Sequence, residues 1–63
     1  MKNENIVKAS QTAALLVSDL QEAIGTAAAN RDVSTVLLLK TLLPQAIENK
    51  KILYELEIVE ENA

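Results

Sequence analysis

The stretch VSTVLLLKTLL, residues 33–43, is the most apolar part of the chain and decides its fold. Six of its last eight residues are Leu or Val, and only Lys40 and Thr41 interrupt them. As a helix this stretch makes about three turns, which is too short for a membrane span, since a span needs about 20 residues. We therefore expect protein to cover it on more than one side.

Size and composition limit how the chain can be stabilised. With 63 residues it forms at most one domain, near the size at which small proteins recruit disulfides, a metal ion or a second copy. The sequence has no Cys and no His, which excludes disulfides and leaves only carboxylates as ligands for zinc or iron. The chain is 49% hydrophobic, yet Tyr54 is its only aromatic residue. These facts predict an aliphatic helical core and a homo-oligomer, with no metal and no cofactor.

The first half of the chain has the pattern of one long helix. Its apolar residues recur at alternating intervals of three and four, which is the spacing of a helical seam. The seam predicted in this way consists of Ile6, Ala9, Ala13, Leu16, Leu20, Ala23 and Ala27. Asn3 or Asn5 is a candidate N-cap. Gly25, inside the helix, is interpreted as a surface residue or a close helix crossing, with a hinge as the alternative.

A short break follows at residues 27–32. Asn30 tolerates the left-handed conformation that ends helices, and Asp32 is a strong candidate for the N-cap of the next helix. A connection of two to four residues makes two long helices antiparallel neighbours. The sequence thus predicts an all-α antiparallel hairpin, with helices over about 5–29 and 33–60. Residues 1–63 form a single domain in this prediction, with frayed ends at 1–5 and 60–63.

The second helix leaves two alternatives open. Pro44 cannot donate a backbone hydrogen bond, so the helix either kinks there or breaks before it, with Pro44 opening a third helix. We favour the kink, because no capping residue precedes the proline. Residues 52–59 alternate as a strand would, although a helix is favoured. We expect the last turn to fray, because four acids lie where a helix C-terminus disfavours negative charge: Glu55, Glu57, Glu60 and Glu61.

Charge and residue types argue against several classes of function. The net charge is −3 and the basic residues are scattered, which disfavours a nucleic-acid or anionic-membrane partner. Without His or Cys, and with one Gly, the chain has no base for neutral pH, no thiol nucleophile and no phosphate-binding loop. We therefore predict that it is not an enzyme. The polar N-terminus lacks a signal-peptide pattern, so a cytoplasmic location is expected.

These exclusions favour a small acidic regulatory protein, of a kind common in bacteria and phages, that self-associates and binds another protein. The residues predicted for the oligomer interface are Leu15, Val17, Leu37, Leu38 and Ile47. Two alternatives stay open: an RNA-binding hairpin dimer, and an oligomer that binds an anionic, nucleotide-like molecule between protomers. The weaker candidates for ligand or partner contacts are Arg31, Lys50, Lys51 and Tyr54.

Overall fold

Two long helices joined by a short turn make up the fold. The computed structural model describes residues 3–61, in which α1 spans Glu4–Ala29 and α2 spans Val33–Glu61. The helices pack side by side in a hairpin of 48 × 14 × 12 Å. The predicted all-α helical hairpin is confirmed, and each predicted outer bound is within one residue of the observed one.

The start of α1 and the end of α2 are in contact. The side-chain oxygen of Asn3 accepts hydrogen bonds from the N–H groups of Asn5 and Ile6, at 2.9 and 3.4 Å. The backbone N–H of Asn3 donates to Oε2 of Glu60 at 2.7 Å. Negative charge is favourable beside a helix N-terminus, which supports helical structure up to Glu61. Residues 4, 5, 60 and 61 are helical, residues 1, 2, 62 and 63 lie outside the described residues, and the fraying of the two ends stays a prediction.

Two backbone hydrogen bonds close the turn between the helices. The N–H of Arg31 donates to the carbonyl of Ala28 at 3.1 Å, and the N–H of Asp32 donates to the carbonyl of Ala27 at 2.9 Å. This pair of bonds is the Schellman motif. Arg31 has the left-handed conformation, with φ of 56°, whereas Asn30 has φ of −88°. The prediction of a left-handed Asn30 is thus wrong by one residue, because Asn30 is itself the C-cap.

Asp32 is the N-cap of α2, as predicted. Its Oδ1 accepts from the N–H of Thr35 at 3.2 Å, and its Oδ2 accepts from the hydroxyl of Thr35 at 2.6 Å. The Thr35 hydroxyl, and then the Thr35 N–H, lower the pKa of Asp32 below its ordinary value. Because the cap follows the turn directly, the apolar stretch at 33–43 is helical from its first residue.

A regular seam joins the helices. On α2 the buried and half-buried residues, apart from Thr35, recur at intervals of three and four over the whole helix, as Val36, Leu39, Leu43, Ala46, Lys50, Leu53, Glu57 and Glu60. On α1 the matching set is Ile6, Ser10, Ala13, Val17, Leu20, Ile24 and Ala27. α2 continues through Pro44 and through residues 52–59. The alternatives of a third helix and of a strand are therefore wrong.

The seam of α1 differs from the predicted one at three of its seven positions. Ser10, Val17 and Ile24 replace three residues that are exposed instead, namely Ala9, Leu16 and Ala23. Both sets have the same alternating spacing, so spacing alone could not separate them. In the observed set Val17 takes the place of Leu16 and Ile24 takes the place of Ala23, so the gain in buried apolar surface comes from Ile24.

Candidate interaction surfaces

α2 carries apolar side chains on both sides of its seam. We define the Leu38 stripe as the residues on one side: Thr35, Leu38, Leu42, Gln45, Asn49, Ile52, Leu56 and Val59. We define the Ile47 stripe as those on the other side: Val33, Leu37, Lys40, Pro44, Ile47, Lys51, Tyr54 and Ile58. Each stripe follows a three-four spacing and so lies along one face of the helix. The column between them, opposite the seam, is polar throughout: Ser34, Thr41, Glu48 and Glu55.

Apart from Thr35 at its start, the Leu38 stripe is apolar on both sides of a polar centre. Leu38 is 69% exposed, and Val59 at the far end is 63% exposed. In the centre, Nε2 of Gln45 donates to Oδ1 of Asn49 at 3.0 Å. A shallow groove of about 190 Å³ joins the stripe to α1, lined by Leu16, Leu20, Leu42, Gln45, Ala46 and Asn49. The exposed Leu16 therefore lies on the same face of the hairpin as the Leu38 stripe.

The Ile47 stripe has an open groove at each end. The groove beside the turn has a volume of about 470 Å³ and is lined by Ala28, Arg31, Asp32, Val33, Val36 and Leu37. The groove at the other end has a volume of about 420 Å³ and is lined by Val7, Ser10, Gln11, Tyr54, Glu57 and Ile58. Between them lies Ile47, with Lys40 about two turns before it and Lys51 about one turn after it. This face is thus apolar with two cations near its middle.

Ser10 is the most deeply buried polar residue of the described chain. It is 1% exposed, and its Oγ has no hydrogen-bond partner among residues 3–61. A buried hydroxyl without a partner destabilises the folded state, because it has lost its bonds to water. By contrast, the hydroxyls of Thr12 and Thr41 donate to the carbonyls of Lys8 and Leu37, each at 3.0 Å. Ser10 is therefore an unfavourable position within the seam.

The five residues predicted for the oligomer interface do not share one surface. Val17 is 7% exposed and lies in the seam inside the hairpin, so its assignment to an outer surface is corrected. Leu15 is exposed on α1, on a face away from the seam. Leu38 lies on the Leu38 stripe, whereas Leu37 and Ile47 lie on the Ile47 stripe. Leu15 and Val17 were predicted because they lie outside the seam expected for α1, and the observed seam includes Val17.

Sequence reasoning missed four exposed members of the Leu38 stripe: Leu42, Ile52, Leu56 and Val59. A signal for them was present, because residues 38, 42, 45, 49, 52, 56 and 59 form a second three-four repeat. It overlaps the seam of α2, which has the same spacing. Only the position of α1 shows which of the two repeats is already covered.

The candidates for ligand contacts are not brought together within one chain. Arg31 lies in the turn, and Tyr54 lies about 32 Å along α2 from its start, given a rise of 1.5 Å per residue. The Nζ of Lys50 lies 5.6 Å from the centre of the Tyr54 ring, a cation–π contact. Glu57 lines the same groove as Tyr54, and its carboxylate opposes the binding of an anion there. A site made from Arg31, Lys51 and Tyr54 would need more than one copy and stays a prediction.

Within residues 3–61, no three Asp or Glu side chains are grouped closely enough to hold a metal ion. Neither helix, over its described length, is long and apolar enough to cross a membrane. Comparisons of the chain with protein-family models, with curated protein sequences and with solved structures each found no significant match.

Proposed function

We propose that this chain is a small non-enzymatic interaction protein that self-associates through its helical hairpin and binds a partner protein. The observation that supports this proposal is the apolar surface of α2. Of the twelve large hydrophobic residues exposed in the described chain, ten lie on α2, distributed over both stripes. Monomeric soluble proteins rarely expose apolar patches of more than a few hundred Å², and larger ones mark interaction sites.

The small core of the hairpin supports the same proposal. The buried hydrophobic residues of the described chain are Ala13, Val17, Ala27 and Ala46. Three alanines and one valine offer little apolar burial against a backbone entropy cost of about 1–2 kcal/mol per ordered residue. Covering the stripes would add large side chains to this core. Association through the stripes would therefore add to the free energy of unfolding that this small core provides.

Two separate apolar stripes allow self-association and partner binding to occur together. A second copy can cover one stripe while the other stripe binds a different protein. The column opposite the seam, from Ser34 to Glu55, keeps a polar strip between the two surfaces. The non-enzymatic part of the proposal rests on the sequence, which has no Cys and no His.

Light scattering and circular dichroism on one dilution series test the self-association. We expect a dimer or larger species whose helicity falls when dilution dissociates it. A fully helical monomer at every concentration would contradict self-association. For the partner, we expect a protein retained from an extract by the immobilised chain to be lost with Ile47→Glu or Leu38→Glu. It should be kept with Thr41→Glu, which adds the same charge in the polar column.

We also expect α2 to bend at Pro44. The support is chemical: a proline has no N–H to donate to the carbonyl of Lys40, and its ring crowds that carbonyl. Residual dipolar couplings of the N–H bonds before and after Pro44 report the angle between the two halves of α2. One straight axis for both halves, unchanged in Pro44→Ala, would contradict the bend.

A further inference from the structure

We propose that a second copy of this chain binds the Leu38 stripe, with the two α2 helices antiparallel about a two-fold axis near residue 47. The inference rests on the proposed self-association and adds the surface and the register. An interface about a two-fold axis must be self-complementary, since the same patch faces itself. The Leu38 stripe meets this requirement, as its sequence shows.

From Leu38 to Leu56 the stripe has the same order of polar and apolar positions in both directions about its centre. If Gln45 of one copy faces Asn49 of the other, the numbers of all opposed residues sum to 94. Large apolar side chains then face one another on both sides of the amides. The opposed apolar pairs are Leu42 with Ile52 and Leu38 with Leu56, and beyond them Thr35 faces Val59.

The central amides favour this register over others. Within one chain the Gln45 side chain donates a single bond to Asn49. Each amide therefore keeps donor or acceptor capacity for a bond across the axis. A shift of one turn would place amides against apolar side chains and bury them without partners. Single polar pairs in an apolar seam set register and orientation in this way.

α1 places the axis at the same level independently. In an antiparallel hairpin, residues at the same level have numbers with a constant sum. Asn3 is hydrogen-bonded to Glu60, which gives a sum of 63, and Leu16 shares a groove with Ala46, which gives a sum of 62. Residue 47 of α2 therefore lies level with residue 16 of α1. Leu16 is the middle residue of the exposed set on this face, with Ala9 and Ala23 each seven residues away. The exposed Leu16 therefore lies at the level of the proposed axis.

Charge disfavours the same arrangement for the Ile47 stripe. The antiparallel register that pairs all eight of its residues has opposed numbers that sum to 91, and it places Lys40 of one copy against Lys51 of the other. Like charges directly opposed are unfavourable. The Leu38 stripe contains no charged residue. A second copy therefore fits the Leu38 stripe, and the Ile47 stripe is left for a partner with acidic groups.

The size of the face is sufficient for a stable dimer. A face of 48 × 14 Å has an area of about 670 Å². Two such faces give at most about 1,300 Å² in total, which reaches the lower end of the about 1,200–2,000 Å² that specific interfaces bury. One opposing contribution comes from Glu48, which borders the stripe at the level of the axis and meets its own copy there. Removing this charge should tighten the dimer.

Sedimentation velocity on the full chain, over a dilution series, tests the surface with a matched pair of variants. Ile52 and Ile47 are the same residue type on the same helix, and each is 46% exposed. We expect Ile52→Glu to raise the dimer dissociation constant by about 100-fold, because a charge would be buried in an apolar contact. Ile47→Glu should change it less than about threefold, as expected at exposed sites. Glu48→Gln should lower it.

The reverse result, with Ile47→Glu dissociating the dimer and Ile52→Glu leaving it intact, would overturn the assignment of the dimer interface to the Leu38 stripe. A wild-type monomer at all concentrations would instead overturn the proposed self-association itself. Because the chain has no Cys, single cysteines report the register. With a mixture of Gln45→Cys and Asn49→Cys chains, a short bismaleimide should link 45 to 49 in preference to 45 to 45. Preferential like-to-like linking would overturn the antiparallel register.

Discussion

Replacing Ser10 with alanine should stabilise the protein. Ser10 lies in the seam, 1% exposed, and its hydroxyl has no partner within the described chain. A buried polar group without a hydrogen bond costs about 1–3 kcal/mol. Alanine also has the higher helix propensity, by up to about 0.5 kcal/mol. Together these effects raise the free energy of unfolding by about 1.5–3 kcal/mol, since only one oxygen atom is lost from the packing.

Thermal and urea denaturation, followed by circular dichroism at one fixed protein concentration, measure the effect. For a domain of this size we expect an increase in Tm of about 10 °C. Ser18→Ala is the matched control, because Ser18 is exposed on the same helix and gains helix propensity alone. If Ser10→Ala were no more stable than Ser18→Ala, the hydroxyl would have a partner in solution and the argument from burial would be refuted.

Four further predictions follow from the turn, the seam and the surface of α1. Gly25→Ala should raise the free energy of unfolding by about 1 kcal/mol in urea titrations, because no atom lies within 4 Å of the added Cβ; an unchanged midpoint would contradict this. Arg31→Gly should keep or raise Tm and Arg31→Val should lower it, because φ at this position is 56°; equal effects would show that the left-handed conformation is absent. Leu39→Asp should abolish the helical circular dichroism signal, because it places a charge in the seam; a native spectrum and Tm would remove Leu39 from the core. Because the pKa of Asp32 is lowered in the folded state, its contribution to stability is present above pH 3.8, its ordinary pKa, and is lost as pH falls through the lower folded pKa. Acid titration should therefore show a smaller loss of stability in that range for Asp32→Asn than for the wild type, and an identical loss would refute the cap.

The local signals in the sequence located the helices well. Asn3 and Asp32 are capping residue types before apolar periodic segments, and both are the observed N-caps. The short connection predicted the hairpin. Gly25, with open space around its Cβ position, is a surface residue and not a close helix crossing. These features depend on a few neighbouring residues, which is why the sequence alone was sufficient.

The orientation of each helix about its own axis, which decides the face that is buried, was harder to predict, because it depends on contacts between residues distant in the sequence. On α1, Leu16 and Val17 belong to two overlapping repeats with identical spacing, and only packing against α2 decides which one is buried. On α2 the apolar residues extend nearly all round the helix, so side-chain type did not separate Leu37 from Leu38. The left-handed Arg31 had no signal, since arginine is not a residue type favoured in that conformation.

The hydrogen bond between Asn3 and Glu60 has a practical consequence for protein engineering. It brings the first turn of α1 and the last turn of α2 to within hydrogen-bonding distance, so a short flexible linker can join them. A circular permutant opened between Asn30 and Asp32 would keep both helices and their seam while moving the new ends to the opposite pole. Fluorescent labels or fusion domains could then be attached at either pole of the same hairpin.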